Sequence, residues 1–166
     1  MEDNYTGPQK TFLVALRILI GWHFLYEGLL KLLNPEWTSK GYLLSSEGLF
    51  SSFFEWLGSD GMINMVDLLT IVLLLLVGFT LMLGIFTRQG SMAGMLLLAF
   101  FYLSHPALPG MAQGPAEGNY FIVNKNLIEL AALGVIWFFP SNKVFGLEGL
   151  FKKRSISSPV NAVENG

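Results

Sequence analysis

The chain has 166 residues, of which 52% are hydrophobic and only 13% are charged. This composition is unusual for a soluble domain and ordinary for a membrane protein. A net charge of −2 predicts no nucleic-acid partner, and the absence of cysteine excludes disulfides, thiolate metal sites and iron–sulfur ligation. Because the chain has only two histidines, no metal site is predicted.

Four apolar segments follow one another along the chain: residues 12–33, 62–86, 91–104 and 120–139. A helix needs about 20 apolar residues to cross a bilayer, and the second segment, uncharged from residue 68 to residue 86, meets this requirement best. The sequence therefore predicts an all-α integral membrane protein. Its domain, residues 1–151, is an antiparallel bundle of four transmembrane helices.

Lysine and arginine predict the orientation of this bundle. In a four-span arrangement most of them fall on one side, near both ends of the domain and in the short turn 87–90. By the positive-inside rule both termini are predicted to be cytoplasmic. The tail, residues 152–166, begins with three cations, which predicts contact with anionic headgroups, and then becomes polar, which predicts disorder.

The connection between the first two predicted spans, residues 34–61, carries apolar residues at near-helical spacing, among them Phe50, Phe53 and Trp56. This pattern predicts an amphipathic helix that lies in the membrane interface. Two interpretations remain open for it. The helix is an aromatic anchor, or it is a lid or lateral gate for a lipophilic ligand.

The first predicted span carries four ionisable residues, although its other residues are mostly apolar. His23, Glu27 and Lys31 follow one another at intervals of four residues and so share one row of a helix, with Arg17 beside that row. Ionisable groups at membrane depth are costly unless they face protein or water. The row therefore marks the inward face of the helix.

Polar residues of the other three spans fall at the same external end of the predicted bundle. This clustering predicts one polar pocket between the helices that opens outward. The candidate catalytic residues, which can exchange protons, are His23, Glu27 and Glu129. The candidate substrate-binding residues, which carry charges or hydrogen-bonding groups, are Arg17, Lys31, Asp67, Tyr102, His105, Lys125 and Asn126.

Several of these residues also have a purely structural explanation. Arg17 and Lys31 can extend along the helix to opposite membrane interfaces. Lys125 and Glu129 can form an ion pair within one helix, since they are four residues apart. Asp67 can stabilise the positive end of its helix.

The histidines and Tyr102 also allow more than one interpretation. His23 can be a buried imidazole whose hydrogen bonds are satisfied by protein, and Tyr102 can belong to an aromatic belt. Haem ligation by His23 and His105 is disfavoured, because the two residues are expected at different depths.

Three stretches carry a resemblance to a known family. They are residues 17–31 (RILIGWHFLYEGLLK), residues 41–56 (GYLLSSEGLFSSFFEW) and residues 117–129 (EGNYFIVNKNLIE). Over residues 12–140 the chain resembles the DoxX/DoxD membrane family. It is similar above all to the DoxD branch, the large subunit of thiosulfate:quinone oxidoreductase.

The resemblance implies a subunit that oxidises thiosulfate to tetrathionate at the outward pocket and passes the electrons to quinone. Quinone is then the implied ligand. From the residues themselves we expect Lys31, His105 and Lys125 to attract the anion, and Glu27 and Glu129 to carry protons. The candidate partners are the lipid bilayer, a second DoxA-like subunit, another membrane protein and a second copy of the chain. The alternative is a non-catalytic DoxX-type protein that docks an extracytoplasmic or membrane protein. A transporter is disfavoured, because the cytoplasmic half lacks a polar path.

Overall fold

A computed structural model describes residues 5–109, 120–139 and 146 of the chain. Within these residues the secondary structure is helical, apart from one isolated bridge between Tyr120 and Val123, and this confirms the all-α prediction. The helices in chain order are α1 (Gly7–Leu33), α2 (Lys40–Leu44), α3 (Ser51–Leu57), α4 (Ile63–Leu83), α5 (Thr87–Ser104) and α6 (Lys125–Phe138). The predicted tail, residues 152–166, lies outside the described residues.

Two helices, α1 and α4, are long and apolar enough to cross a membrane by length and composition, with mean hydropathies of 1.5 and 2.6. Only a third of the apolar part of each is buried inside the protein. Large apolar side chains such as Leu19, Leu68 and Leu76 are more than half exposed. A continuous exposed apolar surface of this kind is typical of a protein that contacts lipid.

The four long helices pack in a closed ring in which α1 contacts α4, α4 contacts α5, α5 contacts α6 and α6 contacts α1. Neighbouring helices are antiparallel, as the residues that meet make clear. Gly21 lies against Leu81, whereas Gly28, further along α1, lies against the earlier residue Leu74 of α4. The most fully buried apolar side chains fill the centre of the ring: Phe24, Leu74, Val77, Leu81, Leu98, Leu133 and Ile136.

Glycine permits the closest approach of α1 and α4. A Cβ atom added at Gly78 would lie 2.6 Å from the backbone nitrogen of Leu25. Because that neighbour is backbone rather than a flexible side chain, it cannot turn aside. The absence of a side chain at residue 78 therefore sets the spacing of the two helices.

The short helices α2 and α3 cover one end of the ring. Their apolar side chains form a second cluster in which Leu43, Phe54 and Leu57 pack against Ile63 at the start of α4. α3 lies inside the stretch for which the sequence predicts a helix, and α2 is an additional element. The position of α3 relative to a membrane interface remains a prediction.

The turn between α4 and α5 differs from the prediction. Residues 87–90, predicted as the turn, are the first residues of α5. α4 ends one position before Gly84, which has a left-handed backbone with φ of 67°, and Phe86 is left-handed as well, with φ of 51°. Glycine adopts this conformation without strain and ends helices for that reason, so the chain reverses over residues 84–86.

The start of α6 is set by Asn124, whose side-chain oxygen accepts a hydrogen bond from the backbone N–H of Leu127 at 3.0 Å. Asparagine is among the preferred residues at this position. The helix therefore begins five residues later than the predicted apolar segment, and Tyr120–Val123 forms a tight turn before it.

Candidate functional site

A cavity of about 400 Å³ lies at the covered end of the ring, which we call the cavity end. The antiparallel arrangement brings together there the last turns of α1 and α5 and the first turns of α4 and α6, with residues before and within α2 above them. Its polar wall, from α1 and α6, consists of His23, Glu27, Lys31, Lys125 and Asn126. Its apolar wall consists of Phe24, Leu43, Val66, Leu74, Leu98, Phe100 and Phe101.

His23 and Glu129 join α1 to α6 across the ring. The Nδ1 atom of His23 lies 2.6 Å from the Oε1 atom of Glu129, and their side chains are 33% and 11% exposed. The other carboxyl oxygen of Glu129, Oε2, is buried and has no hydrogen-bond partner in the described part of the chain. The structure thus brings together two predicted site residues that are 106 positions apart.

Glu27 and Lys31 form a second ionic contact, this one within α1. The Nζ atom of Lys31 lies 2.5 Å from the Oε2 atom of Glu27, and it also lies 5.5 Å from the centre of the Trp37 ring. An ammonium group at this distance from an indole face gains a cation–π attraction. Both members of the pair and Trp37 line the cavity, so the pair presents its polar atoms to that space.

Lys125 is the first residue of α6 and lines the cavity beside Asn126. Within residues 5–109, 120–139 and 146, it makes no hydrogen bond or ion pair, and its positive charge acts on the carboxylate of Glu27. The ion pair with Glu129 that the i, i+4 spacing allows is not formed, because Glu129 bonds His23 instead. Lys125 is therefore a cation available to a ligand.

Asp67 and Tyr102 lie at the cavity end, but their polar atoms hold the chain together. The Oδ1 atom of Asp67 accepts hydrogen bonds from the backbone N–H of Ser39 at 2.8 Å and from its hydroxyl at 2.5 Å. These bonds fasten the segment before α2 to α4. The hydroxyl of Tyr102 donates to the backbone oxygen of Ile122 at 2.8 Å, which ties α5 to the turn before α6.

His105 is buried behind the cavity and packs against the ring of Tyr42, with 4.2 Å between ring centres. Its ring nitrogens lie 3.3 Å from the hydroxyl of Ser45 and 3.1 Å from that of Ser104. Burial lowers the pKa of His105 below its ordinary value. Burial likewise raises the pKa of Tyr42 to about 12. Both rings are therefore neutral near pH 7, and His105 supplies no cation to the cavity.

Arg17 lies nearer the start of α1 than His23, and its fully buried side chain is beside Gly84, at the end of the ring opposite the cavity. It is almost two helical turns from His23 and does not line the cavity. The sequence also allowed the Arg17 side chain to extend to the membrane interface, but in the structure it is buried in protein.

Besides the apolar wall, five lining residues whose side chains can form hydrogen bonds were not predicted: Trp37, Thr38, Ser39, Tyr42 and Thr70. Thr70 follows Asp67 by three positions on α4, so helical periodicity could have identified it. The other four lie in the connection that follows α1. Helical periodicity does not predict the path that this connection takes over the ring. In the part of the chain that the structure describes, no three His, Asp or Glu side chains lie together as a metal site requires.

Comparison with known proteins gives a family. The DoxX family model matches residues 12–106, which is more than half of the chain. No curated protein and no solved structure gives a significant match. The matched segment contains most of α1, all of α2 to α5 and with them most of the cavity wall. The chain therefore belongs to the DoxX family of membrane proteins.

Proposed function

We propose that the chain is the membrane subunit of a quinone-reducing oxidoreductase that resembles the DoxD subunit of thiosulfate:quinone oxidoreductase. The cavity is the observation that carries this proposal, because aromatic and other apolar side chains line the same space of about 400 Å³ as one carboxylate, two lysines and a histidine. A quinone has a flat apolar ring with two polar oxygens and needs both kinds of surface.

In this proposal α1, α4, α5 and α6 all cross the bacterial inner membrane, and both termini lie in the cytoplasm. Exposed apolar side chains on the two shorter helices support it, since Leu96 of α5 and Ile128 of α6 are 64% and 59% exposed. Such side chains favour contact with lipid. The cavity end then opens toward the outer face of the membrane.

The proposed reaction balances within this cavity. Two thiosulfate ions lose two electrons in total and join through a new sulfur–sulfur bond as tetrathionate. The quinone gains those two electrons and two protons and becomes a quinol. Lys31 and Lys125 attract the anions, while Glu27 and the His23–Glu129 pair exchange protons, for which carboxyl and imidazole groups are suited.

A direct test measures thiosulfate-dependent reduction of a soluble quinone analogue by the purified protein, alone and with a candidate DoxA-like subunit. Glu27→Gln keeps the size of the side chain but removes its charge and its titrating proton. We expect at least about a 100-fold loss of turnover, the scale of general acid–base catalysis. Glu55→Gln on the exposed surface of α3 is the matched control and should leave turnover unchanged. Absence of any reduction, even with the second subunit, would contradict the proposal.

A second candidate function is docking of an extracytoplasmic or membrane protein without catalysis. It is favoured by one observation, the exposed apolar residues before and within α3. Leu49 is 98% exposed, and Phe50, Phe53 and Trp56 are each about half exposed. One set of results would favour docking over the oxidoreductase. A partner protein cross-links to residue 49, the Trp56→Ala substitution abolishes that cross-link, and the purified chain binds no quinone.

A further inference from the structure

The contact between His23 and Glu129 divides the roles of these two residues. His23 lines the cavity, whereas Glu129 is not among the residues of the cavity wall. The carboxyl group is also the more deeply buried partner, with 11% of its side chain exposed against 33% for His23. The imidazole ring thus lies between the cavity and the carboxyl group.

The contact also distinguishes the two nitrogens of the ring. Nδ1 lies 2.6 Å from Glu129 and, facing a carboxylate that can only accept, it is the nitrogen that carries a proton. Nε2 makes no hydrogen bond within the described residues and is the nitrogen left for a ligand. This arrangement, in which a carboxylate orients an imidazole and stabilises its charged form, is a general device for proton transfer.

The buried carboxylate of Glu129 needs a compensating charge. A carboxylate beside a neutral ring would leave one uncompensated negative charge, part of it on the buried Oε2 atom that has no partner in the described chain. An uncompensated buried charge is costly, and contact with the charged form of the ring, which carries a proton on both nitrogens, compensates it. The other charged groups around the ring come from the same two helices: Glu27, Lys31 and Lys125. The net charge of these three residues is +1.

We propose that His23 delivers a proton to the ligand through Nε2 and that Glu129 is a positioning residue that acts through the ring. This inference rests on the proposed function, because the acceptor is the oxygen of a quinone that has received electrons from the sulfur donor. The Nε2–H bond breaks as the O–H bond of the quinol forms. The ring becomes neutral, Nδ1 keeps its proton for Glu129, and water at the cavity mouth returns a proton to Nε2.

Nitrogen NMR tests the geometry without any turnover. The chain has two histidines, so His105→Asn protein labelled at histidine reports on His23 alone. We expect Nδ1 to carry the proton of the neutral ring, and the Nε2 signal to shift when a short-chain quinone is added. In Glu129→Gln the neutral ring should populate both tautomers. A neutral ring that carries its proton on Nε2 in the protein with Glu129 intact would overturn the proposal.

Turnover separates positioning from binding. We expect His23→Gln to lower kcat about 100-fold and Glu129→Gln about tenfold, each with an unchanged KM for quinone. Glu55→Gln serves again as the control. A rise of KM in Glu129→Gln with unchanged kcat would mean that Glu129 binds quinone directly and would overturn the proposal. If thiosulfate supports no turnover but the Nε2 signal still shifts with quinone, the proposed electron donor fails and the assignment of the two nitrogens stands.

Discussion

The two ends of the four-helix ring bury polar groups in different ways. At the end opposite the cavity, Arg17 is fully enclosed beside the backbone of Gly84. Thr87 and Ser91 are also buried at this end, and the Ser91 hydroxyl donates to the backbone oxygen of Thr87 at 2.7 Å within α5. At the cavity end, His23 and Lys125 instead face open space.

This difference separates polar residues that serve packing from polar residues available to a ligand. The Ser91 hydroxyl bonds its own helix backbone, whereas the Thr87 hydroxyl has no hydrogen-bond partner among the described residues but does not line the cavity. At the cavity end, by contrast, Lys125 lines the open cavity and has no hydrogen-bond partner among the described residues. A charged group that faces open space beside apolar side chains is available to a ligand, whereas a group enclosed by protein is not.

The largest expected effect comes from breaking the packing between α1 and α4. In Gly78→Ala the new Cβ atom would lie 2.6 Å from the backbone nitrogen of Leu25 and push the helices apart. We expect a loss of about 3 kcal/mol, the upper range for overpacking, seen as a lower melting temperature by circular dichroism in detergent. Gly41→Ala is the control, because a Cβ atom there meets nothing within 4 Å. Equal melting of both variants would contradict the described helix spacing.

A smaller effect is expected from removing the cation at the cavity. Lys125→Gln should raise the KM for thiosulfate about tenfold, or about 1.4 kcal/mol, with little change in kcat, because a charge-assisted contact to the anion is lost. Steady-state kinetics measure this. Lys40→Gln is the matched control, since Lys40 pairs with Asp60 on the exposed surface. If the two lysine variants behave alike, the cavity does not bind the anion through Lys125.

The smallest effect concerns pH. Since burial lowers the pKa of His105 in the folded protein, the unfolded chain takes up a proton near the ordinary value of 6.5 while the folded chain does not. Stability should therefore fall as the pH drops below about 6.5, toward the folded pKa. The melting temperature should decrease by a few degrees between about pH 7 and about pH 5. His105→Gln should remove this part of the decrease, and a pH dependence that is unchanged in that variant would contradict the burial of the ring.

Much of the ring could be predicted from the sequence, because length and apolar composition identify α1 and α4, and short connections make neighbouring helices antiparallel. The same reasoning also predicted that His23, Glu27, Lys31 and Lys125 lie at one end of the helix bundle. The ion-pair partner of Glu129 could not be predicted. Lys125 in the same helix and His23 on α1 are both possible partners, and the packing of the helices selects His23.

The connections were the least predictable part. Tyr42 of α2 lines the cavity and packs on the ring of His105. The position of α2 depends on contacts of this kind, between residues that are far apart in the sequence. The hydrogen bonds from Ser39 to Asp67 that fasten this segment join residues 28 positions apart. No local pattern encodes such a pair, so the role of Asp67 in fastening this segment to α4 could not be predicted from the sequence.

Binding of a short-chain quinone to purified protein, with the cavity filled by mutation, tests the central claim most directly. Thr70 lines the cavity, so Thr70→Trp places an indole inside it, whereas Val72→Trp places the same indole on the exposed surface of α4. The account predicts that wild-type protein and Val72→Trp bind quinone equally and that Thr70→Trp, still folded by circular dichroism, loses binding by at least about tenfold. Equal quinone affinity in all three proteins would contradict it.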